Sequence, residues 1–140
     1  MVTLNTKEQV LFMDLATRIS KESSCKRLQV GTVILRKVDE RFNIISMGYN
    51  GTPPGEDNCC ETKDWTTKPE VIHAELNAIT KLNPNDDYSD CVMVITHSPC
   101  LDCAKILLSF KIPLIYYREI YRSDEGVNLL KANGVTLIQI

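Results

Sequence analysis

His73 and Glu75 stand two residues apart in the run VIHAELNAI, and Cys100 and Cys103 stand three apart in SPCLDC, behind Pro99. Two thiolates and an imidazole form a ligand set that suits Zn2+, at roughly 2.0–2.3 Å. Cysteines three apart at the start of a helix place both sulfurs on one face of its first turn. The partial positive charge at a helix N-terminus favours the thiolate form. The set supplies three strong protein ligands, not four. A structural zinc site is closed by four, whereas a site that performs chemistry keeps one position for water. Glu75, two residues beyond the histidine, is then a natural proton carrier for that water. Each half alone is weak. Cys-x-x-Cys also occurs as a redox pair or as two buried thiols. A lone histidine among apolar residues is more often satisfied by a core hydrogen bond. The two halves together, each at the start of a predicted helix, carry the reading.

The elements that must position these residues follow from periodicity and turn chemistry. Residues 6–20 repeat apolar side chains with helical spacing, and Thr6 with Gln9 offers a capping box. Residues 28–38 and 42–49 are rich in Val, Ile and Leu and read as strands. The short connection between them, residues 37–41, predicts an antiparallel hairpin. Residues 50–68 form a long stretch dense in Gly, Pro, Asn and Thr, of a kind that is usually functional or disordered. A helix is expected over 69–82 with Pro69 near its start. Then come a strand over 91–96, a helix over 100–110 and a strand over 112–117. A helix over 124–133, ended by Gly134, and a strand over 135–140 complete the chain. The β-α-β-α-β run of the second half implies parallel strands with right-handed crossovers. The expected fold is α/β, with a mixed five-stranded sheet flanked by helices, in one domain spanning 1–140.

The 140 residues suit a single domain, and 44% hydrophobic against 24% charged residues can build a sizeable core. A net charge of −2 gives no general attraction to nucleic acid or acidic membranes, so no nucleic-acid or membrane partner is expected. No window approaches the ~18–20 apolar residues of a membrane span. The N-terminal MVTLNTKEQV lacks the apolar run of a signal peptide. A cytoplasmic location follows as an expectation. There, six cysteines favour metal binding, catalysis or burial over disulfides.

His-x-Glu followed by Pro-Cys-x-x-Cys is the pattern of zinc nucleobase deaminases. The chain resembles the cytidine deaminase superfamily, and more closely the deoxycytidylate (dCMP) deaminases in their short viral and phage forms. The resemblance is carried by GYNGTPPG at 48–55, NCC at 58–60, HAELNAI at 73–79, SPCLDCAK at 98–105 and YRSDEG at 121–126. Free cytidine deaminases typically carry Cys-Ala-Glu where this chain has His73-Ala74-Glu75. The resemblance implies a three-layer α/β/α fold and hydrolysis of dCMP to dUMP and ammonia, feeding thymidylate synthesis. It implies Zn2+ held by His73, Cys100 and Cys103, with Glu75 as the catalytic acid and base. The alternatives are a bifunctional dCMP/dCTP deaminase and a nucleic-acid-editing deaminase.

The resemblance also implies substrate contacts. The backbone at Ala74 and Ser98 would read the base edge, and Asn50 would meet the sugar. Tyr121 would stack on base or sugar, and Arg122 is a phosphate candidate. Lys26, Arg27, Gly51 and Arg118 are further phosphate or effector candidates. Because open parallel sheets bind ligands at the C-terminal ends of their strands, the pair Arg118 and Arg122 is favoured over Lys26 and Arg27. Larger family members are often homohexamers regulated by dCTP and dTTP, with Mg2+ accompanying the triphosphate, so a homo-oligomer is expected here. A viral source would place the protein in host cytosol. Larger phage relatives also carry a second zinc with cysteines in comparable places. The insertion that completes that site is absent here, so buried or free thiols are expected for Cys25, Cys59 and Cys60. Cys91 is expected in the core.

Overall fold

The computed structural model describes residues 1–140. Its elements are α1 (Thr6–Ser20), β1 (Gly31–Val38), β2 (Arg41–Tyr49), α2 (Ala74–Ile79), β3 (Cys91–His97), α3 (Leu101–Phe110), β4 (Leu114–Glu119), α4 (Glu125–Ala132) and β5 (Thr136–Gln139). One five-stranded sheet runs in the order β2-β1-β3-β4-β5. β1 pairs antiparallel with β2 and β3, while β3–β4 and β4–β5 are parallel. The mixed sheet is the expected one. A register shift lies between Ile34 and Leu35 where β1 meets β2.

The period-2 alternation of strand side chains divides the core into two layers. Val33, Leu35, Val92, Val94, Leu114 and Tyr116 face α1, where Phe12, Met13 and Ala16 meet them. Ile34, Met93, Ile95, Ile115 and Tyr117 face the other way, onto Ala74, Ala78, Ile79, Ala104, Leu107 and Leu130 of the remaining helices. The candidate site belongs to this second layer.

Three local expectations are corrected. The N-cap of α1 is Asn5, not Thr6: its side chain accepts from the Glu8 N–H at 2.8 Å while Glu8 accepts from the Asn5 N–H at 2.9 Å. The capping box is therefore Asn5/Glu8 rather than Thr6/Gln9. The helix expected over 69–82 is only Ala74–Ile79. Ile72 instead exchanges backbone hydrogen bonds with Gly51, at 3.1 and 2.8 Å, which holds the chain extended up to His73. The third correction concerns cysteine. Cys25 and Cys60, 35 residues apart in sequence, are joined as a disulfide and buried with Val71. Of the trio expected to be thiols only Cys59 is free, and it is exposed. Cys91 is free and fully buried, as expected.

Candidate active site

His73 and Cys100 occupy equivalent positions. Each is the N-cap of its helix, with extended backbone (φ −70, ψ 156 and φ −73, ψ 171), and neither side chain caps its own helix. Both side chains are thereby free to meet across the gap between α2 and α3. His73 Nδ1 lies 3.4 Å from Cys100 Sγ and 3.4 Å from Cys103 Sγ. Tetrahedral geometry with the usual zinc–nitrogen and zinc–sulfur bond lengths separates such ligand atoms by about 3.5 Å. The three atoms are therefore spaced to hold one zinc ion, and their chemistry fits it.

The electrostatics agree with that spacing. The Cys100 thiol is pushed down to about 4, first by its hydrogen bond with Cys103 and next by His73, against the opposing effect of burial. Cys103, the partner that keeps the proton, is pushed up. His73 is raised by its hydrogen bond to Cys100.

Glu75 is 4% exposed and lines the same cavity. Burial lifts its carboxyl to about 7, against lowering by a backbone hydrogen bond and by the charge of His73. A carboxyl so placed can take up and release a proton near neutrality. The cavity measures ≈ 440 Å³, within the ~300–1,000 Å³ typical of small-molecule sites. Its walls include Asn50, His73, Ala74, Glu75, Ser98 and Cys100, together with half-buried Arg27 and Tyr121 and exposed Arg122. A smaller recess of ≈ 200 Å³ adjoins it across Arg27, Leu28, His97, Tyr121 and Arg122.

Two wall residues are held by their own hydrogen bonds. Asn50 is 8% exposed; its Oδ1 accepts from the Val30 N–H at 2.9 Å and its Nδ2 donates to the Leu28 carbonyl at 2.8 Å. Asn50 is thus a strut between β2 and the residue 28–30 segment as well as a lining residue. The Ser98 N–H donates to the Glu119 carbonyl at 2.9 Å, and Ser98 Oγ accepts from the Tyr121 N–H at 2.7 Å. Those two bonds fix Tyr121 beside the strand end that leads to Cys100. The Arg122 guanidinium stands 5.4 Å from the centre of the Tyr121 ring. The Arg27 Nε and Nη2 groups donate to Thr67 Oγ1 at 3.1 and 2.8 Å, closing one lip of the cavity.

Lys26, Gly51 and Arg118 are not brought to the cavity. Lys26 is exposed, and its N–H donates to the buried Glu61 carboxylate. Gly51 is engaged with Ile72. Arg118 hydrogen-bonds to Thr17 of α1, on the opposite face of the sheet. Cys103 is buried and does not line the cavity; its sulfur meets His73 Nδ1. Sequence reasoning missed Thr67, Lys68 and His97, all of which line the cavity. The signal for the first two was the long Gly/Pro-rich loop itself. For His97 it was proximity to SPCLDC.

The family model for the cytidine and deoxycytidylate deaminase zinc-binding region matches residues 6–119, which span α1 through β4 and include the whole trio. The chain belongs to this family. It is 32% identical over 136 residues to ComE operon protein 2 of Bacillus subtilis, covering 92% of this chain and 69% of that one. It is 30% identical to the deoxycytidylate deaminase of Enterobacteria phage T4, covering 91% of this chain and 87% of that one. The crystal structure of dCMP deaminase from the cyanophage S-TIM5, in complex with dCMP and dUMP, superposes with a TM-score of 0.90 at 34% identity and covers 99% of this chain and 100% of that one. Longer relatives exist: the chain spans 43% of the Saccharomyces cerevisiae deoxycytidylate deaminase and 42% of that from Schizosaccharomyces pombe. No helix is long and apolar enough to cross a membrane.

Proposed function

We propose that the protein hydrolyses dCMP to dUMP and ammonia at a zinc ion held by His73, Cys100 and Cys103. The observation that carries the reading is the equal 3.4 Å spacing of His73 Nδ1 from both sulfurs, beside a buried Glu75 in a nucleotide-sized cavity. The S-TIM5 relative, a dCMP deaminase described with dCMP and dUMP, supports the choice of substrate. The chemistry that zinc supplies at such a site is a water whose pKa is lowered toward ~7.

The remaining steps belong to the chain. Glu75 takes a proton from the attacking water and delivers it to the cytosine ring nitrogen. The oxygen bonds to C4, and Glu75 then takes the remaining hydroxyl proton and passes it to the amino group as the C4–N bond breaks, so that one water is consumed and one ammonia leaves. The N–H of Ala74 precedes the hydrogen-bond ladder of α2 and is open to a base-edge acceptor. The Ser98 carbonyl, on the cavity wall, is the matching acceptor for the exocyclic amine. Asn50 keeps one amide proton and one lone pair beyond its two structural bonds, enough for a sugar hydroxyl. Arg27 and Arg122, the two guanidiniums on the cavity wall, are the phosphate contacts, with Tyr121 packed against sugar or base.

The adjoining ≈ 200 Å³ recess favours a second reading, that dCTP is also accepted, because it continues past the same two guanidiniums. Self-association is supported by the exposed apolar side chains Ile44, Met47 and Tyr49 on edge strand β2. Feedback by dCTP and dTTP, with Mg2+, rests on the loop at 51–55 and belongs to the same proposal. The test is a substrate panel of dCMP, dCTP, cytidine and a cytosine oligonucleotide, followed by the ultraviolet change from cytosine to uracil. Preference for dCMP is expected, and preference for cytidine or the oligonucleotide overturns the reading. Adding dTTP to the dCMP reaction reads feedback: inhibition that is not competitive with dCMP is expected.

A further inference from the structure

Two glycines press directly on the backbone that carries the metal-ligand candidates. A Cβ built at Gly48 of β2 would lie 2.5 Å from the Ala74 carbonyl oxygen and 2.8 Å from the Ala78 nitrogen. A Cβ built at Gly126 of α4 would lie 2.4 Å from the Pro99 carbonyl oxygen and 2.6 Å from both the carbonyl carbon and oxygen of Cys100. All of these are backbone atoms, which cannot swing aside as the end of a flexible side chain can. Neither glycine has positive φ, so close approach is the reason for glycine at both.

The contacts sit at matched places. Ala74 follows His73, and Gly126 touches Pro99 and Cys100 themselves. Around Gly48, α2 is fastened to β2 on both sides. Ser46 Oγ donates to the Ala78 carbonyl at 2.6 Å, and Asn77 Nδ2 donates to the Tyr49 carbonyl at 2.7 Å. Around Gly126, α4 follows the Ser98–Tyr121 bond that anchors its approach. The helix start bearing His73 is therefore seated from the β2 side, and the helix start bearing Cys100 from the α4 side.

We propose that Gly48 and Gly126 are positioning residues that together set the distance between His73 and the two cysteines. The inference rests on the metal reading above. An ordinary carbon contact begins near 3.4 Å, so a methyl at either glycine requires the facing backbone to retreat by about 1 Å. Metal sites hold their ligand distances within about 0.2 Å. A displacement several times larger at one side of the trio opens the 3.4 Å spacing that the ion needs.

The test is cobalt(II) and zinc(II) titration of the wild type, Gly48→Ala, Gly126→Ala and Val33→Ala. Val33 is fully buried in the layer that faces α1, so its variant lowers stability from the far face of the sheet. The wild type is expected to show the ligand-field bands of a tetrahedral cobalt–thiolate site. Val33→Ala should keep those bands and the zinc affinity while its Tm falls. Each glycine variant should shift the bands and lose roughly 10–100-fold in zinc affinity, the size of effect seen when groups behind metal ligands are altered. The proposal is overturned if the glycine variants keep the wild-type bands with zinc affinity within about twofold. Should one glycine variant fail to fold, the other carries the test. If both are unfolded without metal, the contacts serve the fold as a whole and the proposal falls. A wild type that gives no cobalt–thiolate bands refutes the metal reading itself, a result distinguishable from the others.

Discussion

At the scale of single residues, the proposed site divides labour between ligands, a proton carrier and anion contacts, and each part should fail differently. Cys103→Ala removes one of two sulfurs that share His73 Nδ1. Its protein should purify with far less than one zinc per chain by elemental analysis. One zinc per chain in that variant would show that Cys103 is not a ligand. Arg27→Ala should act on the phosphate alone. Losing a charge-assisted contact worth about 1.5–3 kcal/mol raises KM for dCMP by roughly 10–100-fold. Deoxycytidine, which has no phosphate, should be unaffected in kcat/KM. An equal loss for both would mean that Arg27 supports the lip through Thr67 rather than binding substrate. The trio stands out in the sequence because its chemistry is local: two short motifs, each running across a helix start. Arg118 was not legible in the same way, because which face of β4 it takes is set by packing. In the structure it lies two positions from Tyr116, which faces α1, and strand alternation turns it away from the site.

At the scale of elements, what the sequence hides is pairing between distant segments. Val71 and Ile72 continue an apolar run that reads smoothly into a helix, yet Ile72 takes its hydrogen bonds from Gly51. No periodicity within 69–82 reports that bridge. The α1 cap was misplaced by one residue because Asn5 and Thr6 both suit an N-cap, and only the partner at N3 decides between them. The Cys25–Cys60 bond is likewise invisible in spacing, since its partners stand 35 residues apart, on either side of the β1–β2 hairpin. Its position has a mechanical consequence. Adjacent Glu61 accepts from the N–H groups of Lys26 and Arg27 at 3.1 and 3.3 Å, so the cross-link and the carboxylate hold the lip segment together. Denatured but unreduced protein should show four titratable thiols, from Cys59, Cys91, Cys100 and Cys103. The Cys25→Ser/Cys60→Ser double variant should lose up to about 4 kcal/mol of stability by loop-closure entropy. That corresponds to a fall of roughly 10 °C in Tm. Six thiols with an unchanged Tm would contradict the cross-link.

At the scale of the whole molecule, one sheet carries two different faces. The α1 side is closed packing, and the side carrying α2, α3 and α4 opens at the strand ends into the cavity. Parallel strands β3 and β4 end at His97 and Glu119, beside SPCLDC and YRSDEG, which is why motifs 23 residues apart share one wall through Ser98 and Tyr121. The edge strand β2 leaves Ile44, Met47 and Tyr49 exposed. Light scattering should give a mass that is a multiple of 15.8 kDa, and Met47→Asp should lower it. A monomer at micromolar concentration would contradict the self-association reading. Deamination through Glu75 is decided by one time course: the ultraviolet absorbance of dCMP with wild type and with Glu75→Gln, each verified to carry one zinc per chain. Conversion to dUMP is expected from the wild type, with a loss of about 10²-fold or more in the variant, the scale of general acid–base catalysis. Zinc-loaded wild type that leaves dCMP unchanged, or a Glu75→Gln protein that turns it over equally fast, would contradict deamination through Glu75.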